Sequence, residues 1–150
     1  MQLFDVAFGR NLLREIPQIV NSPYLIVAAK DLWPSYEKNF EGSTYTLYTP
    51  ESLEIDDLEK SITELPEFKS VVGFGGGVAI DVAKYFAWRK DLPLFQVPTS
   101  MSVNAPFAQR AAVREQGILR YVGFKRPEMV YVDYDVIQSA PKFINRSGVG

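Results

Sequence analysis

Apolar and polar positions change period repeatedly along the chain, and each change marks a new element. Residues 3–8 alternate and predict a first strand; across residues 11–20, Leu12, Leu13, Ile16 and Ile19 fall at helical spacing, with Pro23 as a stop. Tyr24-Leu25-Ile26-Val27-Ala28-Ala29 is a continuous apolar run of strand length, the pattern of a central strand buried on both faces of a parallel sheet. Residues 31–40 read as a weaker helix with Pro34 in its first turn, and residues 44–48 as the next strand. Within residues 50–65, Leu58, Ile62 and Leu65 keep helical spacing and predict a crossover helix. Residues 70–74 form a strand running into glycines, and residues 78–88 a helix with Val82, Ala83, Phe86 and Ala87 on one face. Residues 92–97 are a further buried strand. Two alternating runs within 109–124, joined at Gln116-Gly117, predict an antiparallel hairpin. Residues 129–132 read as a last strand and 136–140 as a short helix. The whole predicts an α/β fold: a Rossmann-like, mostly parallel sheet flanked by helices, with an antiparallel hairpin near 109–124.

Composition narrows the setting. A chain of 150 residues is the size of one domain and buries a core without staples. Hydrophobic residues at 47% and charged residues at 23% are the usage of a soluble globular protein. A net charge of −2 gives no attraction for nucleic acid or an anionic membrane, so neither is an expected partner. No cysteine is present, which rules out a disulfide framework and a thiolate nucleophile. The opening MQLFDVAFGR carries no apolar signal core, and the longest apolar runs fall far short of a membrane span; a cytoplasmic location is expected. Histidine is also absent, so any chemistry uses other groups or comes from elsewhere.

The most informative segment runs from Val71 to Lys84 through Gly75, Gly76 and Gly77. Glycines let the main chain approach a pyrophosphate closely, and the free N–H groups of the following helical turn point at it along the helix dipole. The alternative is a tight turn whose glycines only allow close packing of helix on sheet. The spacing is neither G-x-G-x-x-G nor G-x-x-x-x-G-K-[ST], since Lys84 lies well inside the helix. Asp81 and Lys84, three apart, are expected to form a surface ion pair worth a few tenths of a kcal/mol, with Asp81 shaping the loop. A second group, Thr99, Ser100, Ser102 and Asn104, puts neutral donors after a buried strand, at the sheet edge where open α/β folds bind ligands. Such residues also commonly satisfy turn backbone.

VVGFGGGVAIDVAKY, a strand ending in VPTS, and PEMVYVDYDVIQSAPKFINRSGVG, in that order, resemble the iron-containing alcohol dehydrogenase, glycerol dehydrogenase and glycerol-1-phosphate dehydrogenase superfamily, which includes dehydroquinate synthase. The resemblance extends to the opening LFDVAFGRNLLREIPQIV, and the GGGxxIDxAKY and PTSxS forms look closest to the glycerol-1-phosphate branch. It implies that residues 1–150 are an NAD(P)-binding N-terminal domain, followed in the family by a helical domain that holds the metal. Gly75, Gly76 and Gly77 would hold the pyrophosphate, with Asp81 beside them. Thr99, Ser100 and Ser102 would contact the phosphates and the nicotinamide side, and Val132 and Asp133 would end a strand beside the cofactor. Asp31 would serve the adenine ribose, or Lys30 a 2′-phosphate, leaving NAD or NADP open. Asn104, in the run Ser102-Val103-Asn104-Ala105, stands where glycerol-1-phosphate dehydrogenases usually carry an aspartate within Ser-His-Asp-Gly, and is the candidate for substrate binding.

The first family metal ligand would follow Gly148-Val149-Gly150, and two histidines later. A divalent metal, zinc or iron, is therefore expected only in an intact protein, and this chain is expected to be inactive by itself. The implied function is hydride transfer to or from a small alcohol, glycerol or polyol phosphate. A dehydroquinate synthase-like lyase domain is one alternative, for which Arg110, Arg114, Lys125 and Arg126 would have to form a phosphate pocket; a stand-alone, non-catalytic nucleotide-binding domain is another. Apolar surface left by a missing domain would favour self-association, so a homo-oligomer is open.

Overall fold

The computed structural model describes residues 5–102 and 104–149. Six strands, β1 (Asp5–Gly9), β2 (Tyr24–Ala28), β3 (Tyr45–Tyr48), β4 (Ser70–Gly75), β5 (Leu94–Pro98) and β8 (Met129–Asp133), form one sheet in the order β1-β8-β5-β4-β2-β3, every pair parallel. β2, the run expected to be buried on both faces, and β5, the further buried strand, are buried at every residue, and so is β4. Alternation along them divides the core. Leu25, Val27, Val71 and Leu94 face α2 (Ile55–Glu64) and α3 (Gly77–Lys90), while Tyr24, Ile26, Val72, Phe74 and Val97 face the opposite layer with Ile16, Trp33, Phe40 and Val136. Each such aliphatic side chain contributes about 1.5–3 kcal/mol on leaving water.

The hairpin also appears, as β6 (Ala111–Glu115) and β7 (Ile118–Val122), turning through Gln116 and Gly117 at φ 51° and 77°. It is a separate sheet packed on α3, and Ala111 and Val113 bury against that helix layer.

Several helical expectations shorten. Residues 11–20 make a 3₁₀ turn (Leu12–Glu15) and a single α turn, α1 (Ile16–Ile19), which carries Pro17 at its start. Residues 31–40 make two 3₁₀ turns, Trp33–Ser35 and Glu37–Phe40, held by aromatic packing of Trp33 on Phe40 at 5.2 Å and Phe74 at 6.0 Å rather than by a continuous apolar stripe. The helix expected over 50–65 begins only at Ile55, because Glu54 is extended and bridges to Arg114 of the hairpin, whose backbone N–H donates to the Leu53 carbonyl at 2.8 Å. The last strand is followed by α4 (Tyr134–Ser139) and by α5 (Lys142–Val149), the second of which the periodicity did not predict. Leu3 and Phe4, the start of the first predicted strand, lie outside the described residues. No helix among the described residues is long and apolar enough to cross a membrane.

From β2 the chain moves to β3 through the 3₁₀ layer, whereas from β4 it moves to β5 through α3 on the other face and in the opposite direction. The carboxyl ends of β2 and β4 therefore mark a topological switch point, where open α/β sheets hold ligands.

Candidate functional site at the carboxyl edge of the sheet

The three glycines divide the work at this edge. Gly75 ends β4 at φ +155°, a conformation that L side chains rarely adopt, and a Cβ there would lie 2.9 Å from Cβ of Ala79 and 3.5 Å from the backbone nitrogen of Ala29. Its carbonyl accepts from the N–H of Thr99 at 3.1 Å, joining the end of β4 to the end of β5. Gly76 has ordinary extended dihedrals, and a Cβ on it would meet nothing within 4 Å. Its carbonyl accepts the first bond of α3, from the N–H of Ile80 at 3.1 Å. Gly77 opens that 14-residue helix, whose first N–H groups have no acceptor within the helix. Gly75 is thus required by the fold, and Gly76 leaves main chain open to whatever approaches.

Gly76, Gly77 and Val78 line a cleft of about 580 Å³ together with Lys30, Asp31 and Ser52. A second cleft, of about 520 Å³, lies at the ends of β5 and β8 and is lined by Ser100, Ser102, Asn104 and Val132 with Phe8, Met101, Phe107 and Ile137. The structure therefore brings Gly76, Gly77 and Asp31 to one cleft and Ser100, Ser102, Asn104 and Val132 to another on the same edge. Ser100 and Ser102 share a hydroxyl hydrogen bond of 2.9 Å. Thr99 is buried and lines neither cleft; its N–H donates to the carbonyl of Gly75.

Two acidic residues from the sequence reading are turned to other tasks. Asp133 is buried, and its carboxylate accepts from the N–H groups of Leu12 at 2.7 Å, Asp135 at 2.9 Å and Asn11 at 3.3 Å, so it caps α4 and anchors the turn after β1. Asp81 and Lys84 do not form the expected surface pair. Lys84 is 1% exposed and Asp81 9%, because the hairpin covers this face of α3. Asp81 accepts from the N–H of Ala112 at 3.1 Å, so it serves the hairpin and lines neither cleft. Burial pushes the carboxyl of Asp81 up and the ammonium of Lys84 down, and the charge of each partner at 3.5 Å works against both shifts.

The apolar wall of the second cleft, Phe8, Met101, Phe107 and Ile137, was not foreseen; its signal was large apolar residues at strand ends and in a loop, where a buried core does not need them. Asn145 was also missed. Its carbonyl accepts from the N–H of Met101 at 2.9 Å and its amide donates to Ile137 at 2.9 Å, fastening α5 to the loop after β5. Of the four cations considered for a phosphate pocket, Arg114 donates to its own turn at Gly117 and Lys125 donates to Asp91. Nor do the residues present suit a metal. The chain has no His or Cys, and no group of three or more potential ligands occurs among the described residues.

The sequence model of a family described as iron-containing alcohol dehydrogenase matches residues 26–141, which include the switch point, the whole lining of the first cleft and most of that of the second. The chain belongs to the iron-containing alcohol dehydrogenase family. Among curated members, the glycerol-1-phosphate dehydrogenase [NAD(P)+] of Hyperthermus butylicus is 31% identical over 140 residues, which cover 87% of this chain and 39% of the relative. The same enzyme of Pyrobaculum neutrophilum is 31% identical over 153 residues, 97% of this chain and 43% of the relative. The chain thus spans less than half the length of these relatives. Two solved structures of the family fold agree. Glycerol dehydrogenase from Schizosaccharomyces pombe superposes with a TM-score of 0.80 at 21% identity, over 99% of this chain and 43% of that one. Sulfoacetaldehyde reductase from Bifidobacterium kashiwanohense, solved in complex with NAD+, gives 0.77 at 19%, over 94% and 47%. At such identities these establish the shared α/β fold.

Proposed function

We propose that this chain is the NAD(P)-binding part of a metal-dependent dehydrogenase acting on an alcohol, glycerol or glycerol phosphate. The observation that carries this reading is the open main chain at Gly76, placed at the switch point between β2 and β4 and in one cleft with Asp31. A pyrophosphate fits there, because the helix N-terminus offers N–H donors and no side chain fills the approach. Asp31 accepts ribose hydroxyls, and Lys30 beside it balances a 2′-phosphate, so the pair is the part of the chain that decides between NAD and NADP. Ser100 and Ser102 donate to the cofactor beyond the pyrophosphate, Val132 and the aromatic residues exclude water from the second cleft, and Asn104 meets the substrate.

A bound nicotinamide supplies the hydride acceptor or donor; the protein orients it. The zinc or iron of such an enzyme needs clustered ligands, and none occur among the described residues, so this reading assigns the metal to a further domain. Phe8 and Phe143, exposed at 63% and 74%, suit the surface on which that domain packs. A cytoplasmic setting, where NAD(P) is available, is part of the same reading.

Fluorescence titration of NADH and NADPH into the 150-residue chain tests it. Saturable binding of at least one is expected, and no binding of either overturns the reading.

A further inference from the structure

The ammonium of Lys84 occupies a position that the proposed binding role of the clefts does not itself explain. It is buried, it sits about two helical turns after the glycines on α3, and it donates to the carbonyl of Ala105 at 2.8 Å and to that of Arg110 at 3.1 Å. Asp81, at 3.5 Å, completes three acceptors for three donors. The two carbonyls bracket the short turn 105–107 and the entry into β6. Immediately before Ala105 lies the segment with Ser100, Ser102 and Asn104 that lines the second cleft. One side chain thus ties the helix of the glycine turn to the far end of the opposite wall. A hydrocarbon side chain would fill the same volume, and taking an ammonium out of water is costly unless its bonds are all made. The cation balances the buried Asp81 carboxylate and, beyond that pairing, gathers the two carbonyls to one point.

We propose that Lys84 is a positioning residue for the cofactor edge: through Ala105 and Arg110 it sets the serine-bearing wall of the second cleft against the glycine turn. This rests on the dinucleotide reading above. It assigns Lys84 no contact with the ligand, and it makes the two clefts separable. A ligand confined to the glycine side does not sense Lys84, whereas one that spans both clefts does.

The probes are ADP, which carries only the adenosine and pyrophosphate, and NADH or NADPH, whichever the wild type binds. Lys84→Met removes the ammonium but strands the Asp81 carboxylate; the double variant Asp81→Asn/Lys84→Met removes both charges, keeps an acceptor for Ala112, and is the one expected to stay folded. Calorimetric titration well below its Tm is predicted to give a dinucleotide affinity about tenfold weaker than wild type, the scale of a loosened wall, with ADP affinity unchanged. Equal losses for ADP and dinucleotide, or no loss for either, overturn the proposal.

If the wild type binds no dinucleotide, the functional reading fails on its own, and hydrogen exchange decides about Lys84. Faster exchange in the double variant at the amides of Phe107 and Ala108, which bond to Asn104 and Ala105, with Ile80 unchanged, supports the positioning role. Unchanged protection at all three overturns it.

Discussion

The two walls of the ligand edge are built by different means. The glycine wall is a strand running directly into a helix: Gly75 is fixed by its own dihedral and by Ala79 and Ala29, and the first turn of α3 follows without a side-chain cap. The serine wall is a loop with little regular structure, held by long-range bonds from Thr99 to Gly75, from Lys84 to Ala105 and Arg110, and from Asn145 to Met101. One wall is set by its own backbone; the other is held by distant side chains together with one main-chain bond, from the Thr99 N–H to the Gly75 carbonyl. Changes in the first should act through strain or blocked access, and changes in the second through lost tethers.

The largest stability effect is expected in the tether set. Lys84→Met leaves a buried carboxylate without its cation, and chemical denaturation should show a loss of about 3–5 kcal/mol. Adding Asp81→Asn should restore a good part of it; no restoration would mean that the pair does not govern this face of α3. Next, Gly75→Ala imposes both an unfavourable φ and a close contact with Ala79, and should cost about 2 kcal/mol. A neutral result would remove the distinction between Gly75 and Gly76. Asn145→Ala takes partners from Met101 and Ile137 at a partly exposed site and should cost about 1 kcal/mol in the same assay, with faster exchange at the Met101 amide and none at Ile80.

The smallest effect lies away from both walls and serves as their control. The carboxyl of Glu59 is held below the usual carboxylate range chiefly by the Arg89 guanidinium donating to it, with the Tyr85 hydroxyl adding a further bond. A depressed folded pKa means stability that is present above the ordinary carboxylate range and lost as pH falls through the folded value. Acid denaturation of Glu59→Gln should therefore be flatter than wild type below that range, by about 0.5 kcal/mol for a pair this exposed, with ligand affinity unmoved at pH 7.

The difference between the walls also explains what was legible in the sequence. β2 is a continuous apolar run, and β4 and β5 are largely apolar, because both their faces are covered; the glycine turn stands out because a backbone requirement is written in residue type. The hairpin was marked by Gln116-Gly117. The segment after β1 reads as a helix because Leu12, Leu13, Ile16 and Ile19 have helical spacing, and the one after β2 as a weaker helix with Pro34 in its first turn, yet Pro17, Pro34 and the aromatic packing favour short turns. The spacing of Asp81 and Lys84 showed that they were neighbours but not that a hairpin about thirty residues later would bury them. Likewise the Asn145–Met101 bond, 44 residues apart, has no local signature. Tethers of this kind depend on the finished fold.

Gly76 separates ligand binding from folding most directly, because a Cβ there meets no protein atom within 4 Å apart from its chain neighbours and so points into open space. The decisive measurement is titration of NADH and NADPH into wild type and Gly76→Val, beside their thermal unfolding. Gly76→Val is expected to keep its Tm and to lose dinucleotide affinity by about a hundredfold or more, since the new methyls occupy the approach to the helix N-terminus. Equal binding by the two proteins would contradict it.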